Sequence, residues 1–210
     1  MYKMPEFTEK DEAAVSAFIK AHPFVTLIGN DGNTPVATQV PLIIEETGVH
    51  WKLRGHIMRN TDHHRAFEKN NAVLLLFTGP QCYVSASWYK ERGIGSTWNY
   101  MTVHVRGKIH FMDEAATLQL ITDLTHLHED KQKHPELVER MNEQYVAGMV
   151  KGISAFEIEI ESVEPIFKLS QNRSDESYAS IVSHLEAQND SGAEEVAGEM
   201  IKRRLHLFDK

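Results

Sequence analysis

Two arginines flank the start of a short predicted helix and are well placed to bind an anion. Arg59 and Arg65 lie on either side of Asn60 and Thr61, either of which can cap a helix that runs to about Lys69. A helix N-terminus carries unpaired N–H groups and the positive end of the helix dipole. Guanidinium groups add charge-assisted hydrogen bonds to such an anion. The segment predicts a phosphate site, although a solvated helix start with two unrelated arginines would give the same pattern.

Two further segments combine hydrogen-bond donors with aromatic rings. One is 96–100 (STWNY), directly before a long alternating strand, and the other is 167–173 (FKLSQNR), directly after a strand. Aromatic rings beside amides and hydroxyls suit a planar ring system with polar edges. A loop built around a packed tryptophan explains the same residues equally well.

Several other chemistries are disfavoured because their motifs are missing. The 12 histidines include no His-Glu-x-x-His spacing, so we expect no metal site. The glycine-rich phosphate loops and the Gly-x-Ser-x-Gly nucleophile motif are also absent from the sequence. The single cysteine, Cys82, lies in a strand pattern and is predicted to be a core residue rather than a nucleophile.

Seven segments have strand-like patterns, from which we expect about six strands, with helices near the start, the middle and the end of the chain. The strand patterns cover 24–28, 36–44, 49–53, 73–77, 81–87, 101–111 and 156–161, and the helix patterns cover 8–21, 61–69, 113–148 and 194–207. A turn is expected at Gly79-Pro80, and Pro135 is expected to start the second of two helices within 113–148. This order predicts an α+β fold with an antiparallel sheet closed into a barrel.

Composition and charge restrict the class of protein. The chain has 30 acidic and 22 basic residues, and the net charge of -8 argues against broad binding to nucleic acid. No apolar run approaches the roughly 20 residues of a membrane-spanning helix, and the start lacks a signal-peptide pattern, so we expect a cytoplasmic protein with no membrane contact. The turn-forming run 187–192 predicts a main domain over 1–187 and a loosely attached helical tail over 188–210.

Three long runs occur in a fixed order along the chain: 79–89 (GPQCYVSASWY), 97–100 (TWNY) and 168–173 (KLSQNR). His22-Pro23-Phe24, Pro41-Leu42 and Gly55-His56 accompany them. Together these runs resemble the PaiB-like family, the FMN-binding negative transcriptional regulators, which is a branch of the FMN-binding split-barrel superfamily. The resemblance extends from the first residue to about residue 185.

The resemblance implies a six-stranded antiparallel Greek-key split β-barrel with flanking helices, in which helices at about 113–150 form an insertion. It also implies a homodimer with FMN at the subunit interface, and a strand over 38–42 beside the flavin ring. The residues implied to contact the phosphate are His56, Arg59, Asn60, His64 and Arg65. Those implied to approach the cofactor from the partner subunit are Trp98, Asn99, Tyr100, Lys168, Ser170, Gln171 and Arg173.

The function implied is a negative transcriptional regulator or a flavin-dependent sensor that acts on DNA or through a regulatory protein partner. An FMN-dependent oxidoreductase of the pyridoxamine-phosphate-oxidase-like type is the first alternative, and a haem-binding split barrel is the second, since the chain is rich in histidine. No residue is assigned as a catalytic acid or base. His64 is a departure from the resemblance, because related proteins often carry a lysine there.

Overall fold

The computed structural model describes residues 4–47 and 50–208. The α-helices are α1 (Glu12–Ala21), α2 (Asp62–Lys69), α3 (Glu114–Glu129), α4 (Glu143–Gly152), α5 (Asp175–Glu186) and α6 (Ser191–Arg203). The strands are β1 (Phe24–Asn30), β2 (Pro35–Pro41), β3 (Ile43–Thr47), β4 (His50–Met58), β5 (Ala72–Val84), β6 (Thr97–Phe111) and β7 (Ile153–Lys168). Within the described ranges, every helix is too short or too polar to cross a bilayer.

The seven strands form one sheet in the order β2-β1-β5-β6-β7-β4-β3. Antiparallel pairing joins β1 to β2 and β5, and joins β4 to β3 and β7. The predicted α+β class is confirmed, but the strand count is seven rather than six. The pattern at 36–44 divides at Leu42, because β2 pairs with β1 whereas the residues after Leu42 pair with β4.

The turn predicted at Gly79-Pro80 is wrong, since both residues lie inside the continuous strand β5. Proline is tolerated in a strand where its missing N–H is not needed for pairing. The helix start predicted at Pro135 is wrong as well. Only a 3-10 turn forms over Val138–Arg140, and α4 begins later because Asn142 caps it by accepting hydrogen bonds from the N–H groups of Gln144 and Tyr145.

The chain divides into two compact units, and β5, β6 and β7 each contribute residues to both. Unit 2 comprises 19–77 and 104–163. In it, α3 packs on the sheet through Leu120, which contacts Ile43 and Ala155 in one buried cluster. Arg54 on β4 fixes α3 further, because its guanidinium donates to Asp123 at 2.9 Å and to Glu45 at 2.8 Å.

Unit 1 comprises 1–18, 78–103 and 164–210, and contains α5 and α6. The apolar side of α6 is buried, and the Tyr178 hydroxyl on α5 donates to the carbonyl oxygen of Met200 at 2.9 Å. This packing differs from the loose tail expected for 188–210. The loose tail is expected from the turn-forming run before α6, but the residues after that run include an apolar stripe at helical spacing. The stripe consists of Ala193, Val196, Ala197 and Met200.

Candidate functional site

The predicted capped helix forms at α2, and Thr61 is its N-cap. The Thr61 hydroxyl oxygen accepts a hydrogen bond from the His64 N–H at 3.2 Å. Ala66 and Phe67 are almost fully buried, so the helix is anchored by its inner face. Gly29 on β1 permits this packing, because a Cβ atom there would lie 2.6 Å from the Phe67 ring. The start of α2 is therefore held firmly on the sheet of unit 2.

Asn60 turns the chain from β4 into α2. Its backbone φ of 63° lies in the left-handed region, which asparagine tolerates better than most residues. The Asn60 carbonyl oxygen accepts a hydrogen bond from Nη1 of Arg65 at 2.6 Å. This bond holds the exposed Arg65 guanidinium back against the start of its own helix.

Arg59 is fixed to the beginning of β7 by both its backbone and its side chain. Its N–H donates to the carbonyl oxygen of Gly152 at 2.9 Å, and its Nε donates to that of Ile153 at 2.7 Å. Neither terminal nitrogen of Arg59 meets an acceptor among the residues the structure describes. Those two nitrogens can therefore bind a ligand without breaking an existing hydrogen bond.

His64 lies close to both arginines and is 5% exposed, with its ring centroid 4.9 Å from that of Phe111. Burial lowers the pKa of His64, and the charges of Arg59 and Arg65 lower it further, against the opposing effect of Glu68. The imidazole is thus held neutral beside two permanent cations. Arg59, Asn60, His64 and Arg65 together form what we call the α2 cluster.

The backbone N–H groups at the start of α2 are largely occupied. The His63 N–H donates to Asp62 Oδ1 at 2.8 Å, and the His64 N–H donates to Thr61. The Asp62 carboxylate also places a negative charge at this end of the helix, and the hydrogen bond from the His63 backbone lowers its pKa. The donors left for an anion are the guanidinium groups rather than the helix N–H groups that the sequence suggested.

His56 belongs to a different site from the other predicted phosphate contacts. It lies in the wall of a cleft of about 550 Å³ between the end of β4 and α4. We call this the β4–α4 cleft. Other members of its wall are Met58, Ile121, Tyr145, Met149 and Ile153. The structure therefore brings Arg59, Asn60, His64 and Arg65 together and places His56 with apolar side chains.

Among the seven residues implied to approach the cofactor from the partner subunit, three have side chains that hydrogen-bond in and around the loop after β7. The Asn99 side chain is fully buried, donates to Met200 Sδ and accepts from the Ser170 hydroxyl at 3.0 Å. Gln171 folds back on its own loop, accepting from the Leu169 N–H at 2.7 Å and donating to the carbonyl oxygen of Phe167. These side chains fix the loop that follows β7.

The other four of these seven residues differ in how far their side chains are exposed. Trp98 is 55% exposed, whereas Tyr100, Lys168 and Arg173 are half-buried. The Lys168 ammonium donates to the Thr97 hydroxyl, and the Arg173 guanidinium carbon lies 4.4 Å from the centroid of the Tyr89 ring. Burial lowers the pKa of Lys168, and the charge of Arg173 lowers it further.

Sequence reasoning missed two residues that shape these sites. Asp62 is the carboxylate at the start of α2, and its position directly after the N-cap is a signal that could have identified it. Tyr89 is buried against the Arg173 guanidinium, and burial raises the pKa of its hydroxyl while the charge of Arg173 opposes that rise. Tyr89 is the last residue of the 79–89 run, but its contact with Arg173 joins segments that are distant in sequence. Only the structure therefore shows its role.

Comparison with solved structures identifies the class of fold. The flavocytochrome Anf3 from Azotobacter vinelandii superposes with a TM-score of 0.58 over 80% of this chain and 72% of that one, at 13% identity. The FAD and haem binding protein from Mycobacterium smegmatis superposes with a TM-score of 0.56 over 82% and 78%, also at 13% identity. At such identities the likeness concerns the fold alone, which is the split-barrel class of flavin-binding proteins that the sequence implied.

The chain belongs to the family described as "Putative FMN-binding domain", whose profile matches residues 1–162. A curated relative is the "Protease synthase and sporulation protein PAI 2" of Bacillus subtilis, 28% identical over 94% of this chain and 95% of its own length. The yeast protein YKL070W is 26% identical over 52% of this chain and 69% of its own length. The resemblance to the PaiB-like family is confirmed.

Proposed function

We propose that this protein binds FMN and that the phosphate of the cofactor lies at the α2 cluster. The observation that carries the proposal is the pair of guanidinium groups of Arg59 and Arg65 at the N-terminus of α2, beside a histidine that is held neutral. Two permanent cations and the helix dipole favour a dianion at this point. Membership in an FMN-binding family supports the binding of FMN by this chain.

FMN, when bound, supplies hydride and electron chemistry, and the residues of the chain hold and orient it. Arg59 offers two terminal nitrogens from a position fixed by Ile153, so it can meet a phosphate without reorganising. Arg65 offers a second guanidinium that Asn60 already holds near the helix start. The Asp62 carboxylate repels an anion, so its side chain must point away from a phosphate bound at the α2 cluster.

We propose further that the protein is a flavin-responsive negative regulator that acts through a protein partner. The relative named for protease synthesis and sporulation supports a regulatory role. The basic run Lys202-Arg203-Arg204 does not offer a free cationic surface for DNA. Lys202 pairs with Glu199, Arg203 with Glu9 and Glu199, and Arg204 with Asp175.

We also propose a homodimer in which the partner subunit's Trp98 approaches the flavin. Trp98 and Tyr83 are both about half exposed, with ring centroids 6.0 Å apart in an edge-to-face arrangement. Aromatic side chains are enriched at the centres of subunit interfaces. Light scattering at micromolar concentration should give the mass of two chains, and a monomer would refute this part of the proposal.

The phosphate assignment is tested by comparing two ligands that differ only in the phosphate. Replacing Arg65→Ala should weaken FMN binding by about tenfold to a hundredfold, since a hydrogen bond to a charged group contributes about 1.5–3 kcal/mol. Riboflavin affinity should stay within about twofold. Arg106→Ala removes an exposed arginine on β6 and is the matched control. Equal losses for FMN and riboflavin, or no loss for either, would place the phosphate elsewhere.

The absorption spectrum of the purified protein distinguishes the alternatives. Flavin bands that appear or sharpen on adding FMN support the proposal, whereas a Soret band would indicate haem binding instead. Rapid oxidation of a nicotinamide cofactor with turnover would show an FMN-dependent oxidoreductase. A regulator should bind FMN without sustained turnover under the same conditions.

A further inference from the structure

The β4–α4 cleft is suited to a neutral ligand. Its volume of about 550 Å³ lies within the range of small-molecule sites. The residues that line it are chiefly apolar, with His56, Gln144 and the Tyr145 hydroxyl as the polar groups and no lysine, arginine or carboxylate among them. Moving a charged molecule into such surroundings without a partner is costly. The cleft therefore selects against ions.

His56 provides a directed hydrogen bond in this cleft. Side chains alternate along a strand, so His56 and Met58 face the cleft together while Ile57 between them is buried in the core. The Nδ1 atom of His56 is buried and has no hydrogen-bond partner among the described residues. Burial also lowers the pKa of His56, which keeps the ring neutral at physiological pH.

The neutral imidazole of His56 has a single N–H group, either at Nδ1 or at Nε2, and the surroundings of the two nitrogens determine which one is protonated. Among backbone groups an unpaired buried N–H is rarer than an unpaired acceptor, and we apply the same preference to this imidazole. The proton is therefore expected on Nε2, which leaves the buried Nδ1 as the unprotonated nitrogen. His56 then offers an N–H donor, and a ligand needs a hydrogen-bond acceptor to pair with it.

The walls of the cleft offer apolar surface of the size of an aromatic ring. Met58 is 59% exposed and Tyr145 is 61% exposed, although both side chains are largely apolar. Thioether and aromatic groups pack well against aromatic rings. Gly148 on α4 also lines the cleft, and a Cβ atom at this position would meet no heavy atom within 4 Å, so a larger side chain has space there.

We propose that the β4–α4 cleft binds a neutral aromatic compound with a carbonyl group, whose oxygen accepts a hydrogen bond from Nε2 of His56 and whose ring packs on Met58 and Tyr145. This site is separate from the α2 cluster and does not require FMN. The two lie close to each other, since Arg59 is hydrogen-bonded to Gly152 and Ile153, which both line the cleft.

The test uses two probes of similar size, 2-acetylnaphthalene, which has the carbonyl, and 2-ethylnaphthalene, which lacks it. Binding to the full-length chain is measured by equilibrium dialysis. We expect 2-acetylnaphthalene to bind several-fold more tightly than 2-ethylnaphthalene, and His56→Phe to abolish that difference. Equal affinity of the unmodified protein for both probes would overturn the role of His56.

A second variant tests the location. Gly148→Leu adds a large apolar side chain at a helical position that lines the cleft, and should weaken binding of 2-acetylnaphthalene at least tenfold. Gly198→Leu on α6 is the matched control, since a Cβ atom there also meets no heavy atom within 4 Å. FMN affinity should be unchanged in Gly148→Leu. Unaltered probe binding in Gly148→Leu, or a loss of FMN affinity in it, would overturn the proposal, the latter because the cleft would then hold the flavin ring.

Discussion

Arg59 donates a hydrogen bond from Nε to the carbonyl oxygen of Ile153, 2.7 Å away, which joins the end of β4 to the first residue of β7. The bond fixes the guanidinium in one orientation and leaves its terminal nitrogens for a ligand. The same Ile153 lines the β4–α4 cleft, so one interaction positions the predicted phosphate contact and a wall of the cleft. A preorganised cation loses little conformational entropy when an anion binds.

Asp62 should weaken phosphate binding at the α2 cluster. Its carboxylate lies at the helix start where a phosphate would lie, and like charges repel. Asp62→Asn keeps the acceptor for the His63 N–H and removes the charge. FMN affinity is therefore expected to rise by about twofold to tenfold at low ionic strength, and the gain should shrink in high salt. Isothermal titration with FMN measures both.

Riboflavin is the control for Asp62→Asn, because the effect requires the phosphate. Its affinity should be the same in the variant and in the unmodified protein. A decrease in FMN affinity would instead show that Asp62 positions the phosphate or orders the start of α2.

His56 should make the protein less stable as the pH falls. Burial lowers its pKa in the folded state below the ordinary value of 6.5, so the unfolded state binds the proton more readily. The stability contributed by His56 is thus fully present above pH 6.5 and decreases as the pH falls from there towards the folded pKa. His56→Gln should reduce the drop in melting temperature between pH 7.5 and pH 5.5.

His128→Gln, a substitution at an exposed position, controls for the chemical change itself. Melting curves followed by circular dichroism at the two pH values give one difference in melting temperature for each of the three proteins. A drop of the same size in His56→Gln and in the unmodified protein would contradict the expectation.

Cys82 should be unreactive in the folded protein. Burial raises the pKa of its thiol from 9.0 to about 12, and the charge of Asp190 adds to the effect. This shift lowers the thiolate fraction at neutral pH by about a thousandfold, and the thiolate is the species that alkylating agents attack. Labelling with iodoacetamide, followed by mass spectrometry, should be slow in buffer and complete within minutes in guanidinium chloride. Rapid labelling in buffer would show that β5 opens at Cys82.

The helix α6 should be required for stability. The Met200 side chain is fully buried and its Sδ accepts a hydrogen bond from Asn99, so Met200→Ala should cost about 2–5 kcal/mol of unfolding free energy. Leu205→Ala, at a site that is 52% exposed, should stay within about 0.5 kcal/mol. Urea denaturation measures both.

Truncation after Ala187 removes the whole of α6 and should abolish cooperative unfolding, since it exposes the apolar surface of α5. A truncated chain that unfolds cooperatively at the same urea concentration as the full chain would restore the loose tail predicted from the sequence.

The sequence alone determined those features that depend on neighbouring residues. The cap at Thr61, the helix α2 and the arginines that flank it follow from local spacing, because capping and helix dipoles act within one turn. The ordered runs at 79–89 and 168–173 identified the family. The strand patterns predicted β1 and β6 to within about four residues of their bounds, but they covered only part of β4 and β7, which extend to residues 58 and 168.

Only the tertiary structure decided which predicted contacts share a site. His56 separates from the α2 cluster because strand alternation directs it to the side that α4 covers, and α4 is distant in sequence. Asn99 and Ser170 hydrogen-bond to each other across 71 residues, which makes them part of the interior rather than open donors. The type of a residue determines which groups its side chain can bind. Long-range packing determines which groups the side chain contacts, and no local sequence pattern encodes those contacts.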